Sequence, residues 1–197
     1  MKTVILSAFP QETQFIKDAL FELQEYKSDK FTWYKGKFYT KDLLLVEIDG
    51  NTDIGALIEL LSAQTEIGMI ISIGLGRPLN DKLRSGDVLI TDLPVGSCEK
   101  AIDLFLGQTE DINEIPLRIF VGQIQYEYLA NQEDDVLACL DKEGSKVIET
   151  LKEQRMPALL LRVITPNGDE NDLEIENRLR IAQKLLMLLK KSVELTS

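Results

Sequence analysis

The sequence predicts an α/β fold in which helices flank a mixed, mostly parallel β-sheet. Short apolar runs of strand length alternate along the chain with segments whose apolar residues recur at helical spacing. Four runs are almost continuously apolar, as is typical of parallel strands buried on both faces, and they occupy residues 3–8, 43–48, 69–73 and 158–164. The 197 residues suffice for one domain with a sizeable core, so we expect a single domain over residues 1–197.

The amino-terminal segment predicts a strand followed by a helix. Residues 3–8 form the first apolar run, and Phe9-Pro10 ends it. Apolar residues then recur at three- and four-residue spacing, which predicts a helix; they are Phe15, Ile16, Ala19, Leu20 and Leu23. Glu12 lies in the first turn of this helix, where the partial positive charge of the N-terminus favours an anion. It is therefore either a well-placed first-turn acid or a carboxylate that faces a cleft.

The next segment predicts a β-hairpin and a second helix. Residues 31–39 and 43–48 are strand candidates, with a turn near residues 40–42. Asp49-Gly50-Asn51 is a further turn, and Thr52 or Asp53 is a plausible N-cap for the helix that follows. The apolar face of that helix consists of Ile54, Leu57, Ile58 and Leu61.

The rest of the chain continues the alternation. Residues 69–73 predict a buried strand that ends in a loop over residues 74–78, where Gly74 and Gly76 permit close approach of a ligand to the backbone. This loop lacks the third glycine and the following helix of a dinucleotide-binding motif. Strands are expected at 88–91 and 117–121, helices at 143–151 and in the last 25 or so residues, and a loop with at most one short helix at 93–116.

Composition excludes several classes of protein. A net charge of −11, with acids spread along the chain, argues against nucleic-acid binding and against anionic membranes. No apolar run is long enough to span a bilayer. Cys98 and Cys139 form no CxxC motif, which favours a reducing compartment, and we expect a cytoplasmic location. Histidine is absent, so Ser-His-Asp and Cys-His catalysis are excluded, and no metal site or cofactor is expected.

Acid–base chemistry near neutral pH must therefore depend on carboxylates, or on Lys, Tyr or Cys. In α/β sheets, ligands bind at the carboxyl ends of the strands. Four segments follow predicted strands and are candidates for one shared cleft: residues 9–12, 74–77, 122–128 and 165–169.

The order of these segments resembles the nucleoside phosphorylase/nucleosidase superfamily, and within it the methylthioadenosine/S-adenosylhomocysteine nucleosidases and the futalosine hydrolases. "MKTVILSAFPQETQFI" is similar to the family's first strand and acid-bearing helix start, and "LLLVEIDGNTDIGALIELL" to its next strand, turn and helix. "IISIGLGRPLNDKLRSGDVLIT" resembles its glycine loop and following strand. "LDKEGSKVIETLKEQRMPALLLRVITPNGDEND" resembles its ribose-binding helix and last strand. The resemblance covers most of residues 1–92 and 139–190.

This resemblance implies a three-layer fold and cleavage of the N-glycosidic bond of a purine-type nucleoside. By position, Glu12 matches the water-activating glutamate and Glu143 the glutamate that binds the ribose hydroxyls. Gly74 matches the first glycine of the loop near the nucleophile, and Arg162 matches a strand arginine of the family pattern. The resemblance also implies a small nucleoside-like ligand and a homodimer.

The departures from the family pattern concern the base-binding end of the site. Thr165-Pro166 stands where the family has Ser-Asp, and proline cannot protonate a leaving base. Asp169 is a candidate replacement for that acid, or a cap of the last helix; Asn167 is a candidate hydrogen-bond partner of the base, or part of a turn. Arg77-Pro78 replaces a Gly-Gly pair, and Arg77 either binds an anionic group or pairs with Asp81. Three further departures are Lys142 in place of a Met, Gln125 near the base-stacking Phe, and Tyr126 and Tyr128 as possible substitutes for that Phe.

Three functions remain open from the sequence. The chain is a nucleosidase of altered specificity or weakened activity, a catalytically inactive protein that binds a nucleoside-like ligand, or an interaction protein. Retention of both Glu12 and Glu143 favours the first, and Pro166 favours the other two. A phosphorylase is disfavoured because Glu12 would repel phosphate, although the positive charge of Arg77 would favour phosphate binding.

Overall fold

The computed structural model describes residues 2–8, 10–92, 118–127 and 137–168, together with Lys190. Ten strands and three helices make up this described part of the chain. The strands are β1 (Lys2–Ser7), β2 (Phe21–Lys27), β3 (Thr32–Phe38), β4 (Lys41–Glu47), β5 (Ile67–Pro78), β6 (Val88–Asp92), β7 (Ile119–Val121), β8 (Gln123–Gln125), β9 (Ala138–Leu140) and β10 (Ala158–Ile164). The helices are α1 (Pro10–Ala19), α2 (Ile54–Gln64) and α3 (Lys142–Glu153).

The strands form a mixed, mostly parallel sheet in the order β2-β3-β4-β1-β5-β10-β6-β7. The central strands β4, β1, β5 and β10 are parallel to their neighbours in this group. Antiparallel pairs lie outside it, where β3 joins β4, β2 joins β3, and β6 joins β10. At its carboxyl end, β5 also pairs with β9, which runs antiparallel to β5 and parallel to β8. The predicted α/β class is confirmed.

The two faces of the sheet carry separate hydrophobic cores, which gives the three layers. Because side chains alternate along a strand, Ile5 of β1 points to one face and Leu6 to the other. On the first face Ile5 packs with Ile16 of α1. On the second face Leu6 packs with Leu57 of α2 and Leu151 of α3. Every residue of β10 is buried, as expected of a strand covered on both sides.

The prediction that the first helix reaches Leu23 is wrong. Helix α1 ends at Ala19, and the chain enters β2, where Leu23 is 41% exposed. Glu22 adopts a left-handed backbone conformation with φ of 54°, which interrupts any helix at this point. The strand is held to β3, and the ring of Tyr26 stacks on Trp33 with centroids 5.7 Å apart. All seven residues of β2 are exposed. The helix-like spacing of apolar residues therefore does not correspond to a buried helix face in this segment.

The prediction of a loop over residues 74–78 is also wrong, because these residues complete β5. Backbone pairing explains this extension: Ile164 of β10 lies opposite Gly76, and β9 lies opposite Arg77 and Pro78. Strands β2, β8 and β9 were not predicted. The hairpin of β3 and β4, the Asp53 N-cap of α2, and elements β6, β7 and α3 are confirmed. The predicted loop at 93–116 and the final helix, except for Lys190, lie outside the described residues.

Candidate functional site

The carboxyl ends of the central parallel strands meet at one edge of the sheet. Ser7 of β1 lies in register with Glu47 of β4 and with Ile73 of β5, and Ile73 in turn lies opposite Leu161 of β10. The segments that follow β1, β4 and β10 therefore leave the sheet at the same edge. These segments are the start of α1, the turn before α2 and the bend at residues 166–168. This is the edge at which open α/β sheets bind ligands.

The buried guanidinium of Arg162 organises the second face of this edge. Arg162 is 2% exposed, and its Nε donates a hydrogen bond of 2.5 Å to Oδ2 of Asp141. Its Nη1 donates to the carbonyl oxygens of Ser72 and Leu161, both at 2.9 Å. Its Nη2 donates to the Ser72 hydroxyl at 3.0 Å. A buried charge requires such pairing, so this network ties β10, β5 and the start of α3 together.

Asp141 has a second role as the N-cap of α3. Its Oδ1 accepts a hydrogen bond of 3.1 Å from the backbone N–H of Glu143, while its Oδ2 holds Arg162. Its carbonyl accepts from the backbone N–H of Ser145 at 3.0 Å. The first turn of α3 is thereby fixed to the sheet, and Glu143 is carried on that turn. No role for Asp141 was evident from the sequence; the available signal was an Asp directly before a predicted helix start.

Gly144 leaves room for this arrangement. A Cβ atom at this position would lie 2.1 Å from Oδ2 of Asp141 and 2.6 Å from Nη2 of Arg162. No real Cβ contact is so short, so a side chain here would displace one member of the ion pair. The glycine is required by the close approach of the pair to the helix backbone.

The carboxylate of Glu143 is partly buried beside the turn that precedes α2. Its Oε1 packs against Gly50, where an added Cβ would lie only 3.0 Å from the oxygen. Burial, followed by the charges of Asp141 and Asp49, raises the pKa of Glu143 above its usual value. No residue in the described ranges donates a hydrogen bond to this carboxylate. It is therefore a partly desolvated acceptor that a ligand with hydroxyl groups can satisfy.

An open groove of about 530 Å³ borders the turn against which Glu143 packs, and Glu143 itself does not line it. Residues of three segments line it: the approach to β3, the end of β4 and the turn before α2. Asp49 and Asn51 belong to the lining, and Gly50 between them is the residue against which Glu143 packs. Hydrogen bonds stabilise this turn: Oδ1 of Asp49 accepts from the Thr52 hydroxyl at 2.8 Å and from the Asn51 N–H at 3.0 Å. These bonds hold the pKa of Asp49 below its usual value.

Gly74 and Gly76 accommodate neighbouring side chains. A Cβ on Gly74 would lie 3.3 Å from Nε of Arg162, and one on Gly76 would lie 2.6 Å from Sγ of Cys139. Burial raises the pKa of the Cys139 thiol to about 12, so it is protonated at neutral pH and unsuited to act as a nucleophile.

Two buried polar atoms near the ends of β8 and β10 lack a hydrogen-bond partner among the described residues. They are Oε1 of Gln125 and Oγ1 of Thr165. Thr165 is 0% exposed, and its backbone N–H donates to the carbonyl of Gly76 at 3.0 Å. The backbone carbonyl of Gln125 accepts from the N–H of Asp141 at 3.0 Å. Buried polar atoms are almost always paired, so these two are candidates for ligand contacts.

The other predicted site residues lie at the rim of this edge or outside the described part. Arg77 and Asn167 are exposed, and Tyr126 is 51% exposed with Nζ of Lys142 6.0 Å from its ring centroid. Glu12 belongs to the first turn of α1, as predicted, but its side chain lies outside the description. Asp169 and Tyr128 also lie outside the described residues.

The described residues contain no group of three or more His, Cys, Asp or Glu side chains placed to hold a metal ion. None of the described helices combines the length and the apolar character needed to cross a membrane.

Comparison with known proteins identifies the fold. No protein-family model matches the chain, and no curated protein matches it in sequence. Among solved structures, it is similar to a 5′-methylthioadenosine/S-adenosylhomocysteine nucleosidase from Colwellia psychrerythraea in complex with adenine. The TM-score is 0.75 at 15% identity, over 97% of this chain and 95% of the other.

Two further structures agree. An S-adenosylhomocysteine nucleosidase from Streptococcus pyogenes, in complex with 5-methylthiotubericidin, gives a TM-score of 0.72 at 19% identity over 96% of both chains. A futalosine hydrolase mutant from Helicobacter pylori gives 0.70 at 17% identity, over 98% of this chain and 99% of the other. The chain therefore has the same fold as these nucleosidases and this futalosine hydrolase, at low sequence identity.

Proposed function

We propose that this chain is a nucleosidase-like protein, a single domain over its whole length, that hydrolyses the N-glycosidic bond of a nucleoside. The observation that carries the proposal is the carboxylate of Glu143. It is partly buried, it has no hydrogen-bond donor among the described residues, and it is fixed at the strand-end edge by a dedicated ion pair. Several structural neighbours hold adenine or a nucleoside analogue, which supports a ligand of this class.

Glu143 is proposed to bind the sugar. A desolvated carboxylate gains most from ligands that donate hydrogen bonds, and the vicinal hydroxyls of a ribose are such donors. The Arg162–Asp141 pair is proposed to position this carboxylate without touching the substrate, because it sets the first turn of α3. The groove beside Gly50 offers space for a substituent on the sugar.

Glu12 is proposed to activate water. It lies in the first turn of α1, directly after β1, where its chain segment reaches the same edge as Glu143. In the reaction, the bond between the sugar carbon and the base nitrogen breaks, and its electron pair moves to the nitrogen. The oxygen of water bonds to the sugar carbon, and the proton that water loses passes to Glu12 and then to solvent.

The specificity is proposed to differ from that of the structural neighbours. Pro166 stands at the position that the resemblance assigns to a base-protonating aspartate, so the leaving group must depart with less help from a proton donor. Asp169 and Asn167 are the nearest candidates along the chain to replace that aspartate. A protein that binds a nucleoside-like ligand without cleaving it is the second candidate, and Pro166 is the observation that favours it.

Release of free base separates these candidates. Purified chain is incubated with methylthioadenosine, S-adenosylhomocysteine, futalosine and inosine, with and without phosphate, and the products are separated by chromatography. The proposal expects base release that does not depend on phosphate and that falls at least about 100-fold in Glu12→Gln and in Glu143→Gln. Glu149→Gln, an exposed acid on the same helix, is the matched control. If no base appears while a nucleoside raises the melting temperature, the binding protein is correct and the hydrolase is not.

A further inference from the structure

We infer that the base-binding end of this site accepts a heterocycle that carries an acidic group, bound by Arg77 and Lys142. The inference rests on the proposed function, since it names the class of leaving group for the same site. Arg77 and Lys142 take no part in the proposed binding of the sugar.

The two ends of this edge differ in their balance of charge, although each is mixed: Lys30 and Lys146 lie at the acidic end, and Glu127 follows Tyr126 at the other. Acidic side chains lie toward β4 and α2, where Asp49 and Glu143 flank Gly50. Cationic side chains lie toward β9 and the end of β5. Arg77 is paired in register with Leu140 of β9, and Lys142 follows two residues later at the first position of α3. Opposite residues of an antiparallel pair are about 5 Å apart, so two long cationic side chains can reach one ligand.

The positive charges of Arg77 and Lys142 are not neutralised within the described ranges. Neither forms an ion pair with a described residue, although the chain carries a net charge of −11 and both side chains are exposed. By contrast, Arg162 on the same edge pairs with Asp141 and donates three further hydrogen bonds to Ser72 and Leu161. An anionic ligand could pair with both cations, and the guanidinium favours carboxylates in particular.

The surroundings of these cations suit a flat heterocycle. Tyr126 presents a half-exposed ring with the ammonium of Lys142 6.0 Å from its centroid. Gln125 immediately before it and Thr165 at the end of β10 each contribute a buried polar atom without a partner in the described part. Gly168 packs against Arg77, with an added Cβ 3.4 Å from the Arg77 backbone nitrogen, so the bend after β10 borders the same region. The ring, the acceptor, the hydroxyl and the two cations thus belong to neighbouring segments at this end of the edge.

The two cations would also compensate for the absence of a proton-donating acid at Pro166. When the glycosidic bond breaks without a proton donor, the electron pair that moves to the ring nitrogen remains as negative charge unless that nitrogen was already positive. Two nearby cations stabilise such charge electrostatically, and they hold the acidic substituent at the same time. A pyridinium leaving group departs as a neutral ring and needs no proton, so it tests the anion preference independently of Pro166.

The test compares nicotinic acid riboside with nicotinamide riboside, which differ only in a carboxylate in place of an amide. Hydrolysis is followed by release of the free pyridine, and affinity by isothermal titration of the Glu12→Gln chain, in which water activation is expected to be lost. The inference expects a preference of about tenfold or more for the carboxylate compound in both measurements, and a smaller preference at high salt. Arg77→Gln and Lys142→Met should each remove most of it, while Lys152→Met, at the other end of α3, should leave it unchanged.

Each outcome decides one of the two proposals. Equal or tighter binding of the amide compound, or a preference that survives in Arg77→Gln/Lys142→Met, overturns the inference and leaves the proposed hydrolysis standing if inosine is cleaved. Absence of cleavage for every nucleoside overturns the proposed function, and the titrations then still decide the anion preference. If inorganic phosphate accelerates cleavage and competes with the carboxylate compound, the cations bind an attacking anion and the inference is wrong.

Discussion

Replacing Gly144 with alanine tests whether the buried ion pair positions the site. In an exposed helix, Gly→Ala stabilises by about 1 kcal/mol, because alanine has the higher helix propensity. Here the new Cβ would lie 2.1 Å from Oδ2 of Asp141 and 2.6 Å from Nη2 of Arg162. Separating a buried pair costs about 3–5 kcal/mol, so the net expectation for Gly144→Ala is a loss of about 2–4 kcal/mol.

Gly55→Ala supplies a matched control in the first turn of α2. A Cβ there would lie 3.4 Å from Oδ1 of Asp53 and 3.7 Å from Nε2 of Gln154, which are ordinary contacts. We expect this variant to be neutral or stabilised by up to about 1 kcal/mol. The two substitutions are chemically identical and both lie in the first turn of a helix, so the difference between them reports the environment of Gly144.

Urea unfolding followed by circular dichroism measures both variants, with the free energy taken from the midpoint at constant slope. For a chain of this size, 2–4 kcal/mol corresponds to a fall in melting temperature of roughly 4–16 °C. A Gly144→Ala protein as stable as the Gly55→Ala protein would refute the reasoning. It would mean that the ion pair adapts without cost and does not hold the first turn of α3 in place.

Three further predictions concern neighbouring groups. Asp141→Asn keeps an N-cap side chain but leaves the buried charge of Arg162 unbalanced; urea unfolding should show a loss of about 3 kcal/mol, and a loss below about 1 kcal/mol would contradict the burial of the pair. Glu143 has a folded pKa above its unfolded value, so ionisation destabilises the fold as pH rises through that pKa. Glu143→Gln should therefore raise the melting temperature at pH 7.5 by at most about 3 °C, and the difference should disappear in acid; a lower melting temperature at pH 7.5 would contradict this. The Cys139 thiol, with a pKa of about 12, should resist a thiol reagent such as iodoacetamide at pH 8 in the folded chain and react after unfolding, as mass spectrometry would show.

The central strands could be predicted from the sequence because their physical signal is local. Strands β1, β4 and β10 are buried on both faces, so each appears as a continuous apolar run. Strand β2 could not be found in this way, since it lies at an edge with all seven residues exposed and has no alternation of burial. Strands β8 and β9 have only three residues each, and their pairing depends on segments distant in the sequence.

The same distinction between local and long-range signals applies to the residues of the candidate site. Glu143 and Arg162 were identified through the family resemblance, and the helix start before Glu143 followed from local pattern. The role of Asp141 could not be read locally, because an acid beside a lysine and a glutamate at a helix start resembles a solvated face. Its burial depends on Arg162, which lies 21 residues further along the chain. Long-range ion pairing of this kind leaves no periodic trace in a sequence.

Position 166 is separate from the network that holds the site, which makes it a direct test of the leaving-group chemistry. Pro166 is exposed at the bend after β10, whereas the Arg162 network lies within the strand. Pro166→Asp should therefore cost only about 0.4–1 kcal/mol of stability, through the greater freedom of the unfolded chain.

If Glu12 and Glu143 form a competent hydrolytic site, Pro166→Asp should restore a proton donor for the leaving base. General acid catalysis contributes about 10²–10⁴-fold, so hydrolysis of inosine should rise by at least about tenfold even with imperfect alignment. Pro166→Asn has nearly the same shape and cannot donate the proton, so it is the control. Initial rates of hypoxanthine release from pH 5 to 8 measure the effect, and the gain should fall as the introduced acid ionises. Equal rates for the Asp and Asn variants would show that position 166 does not face the leaving group.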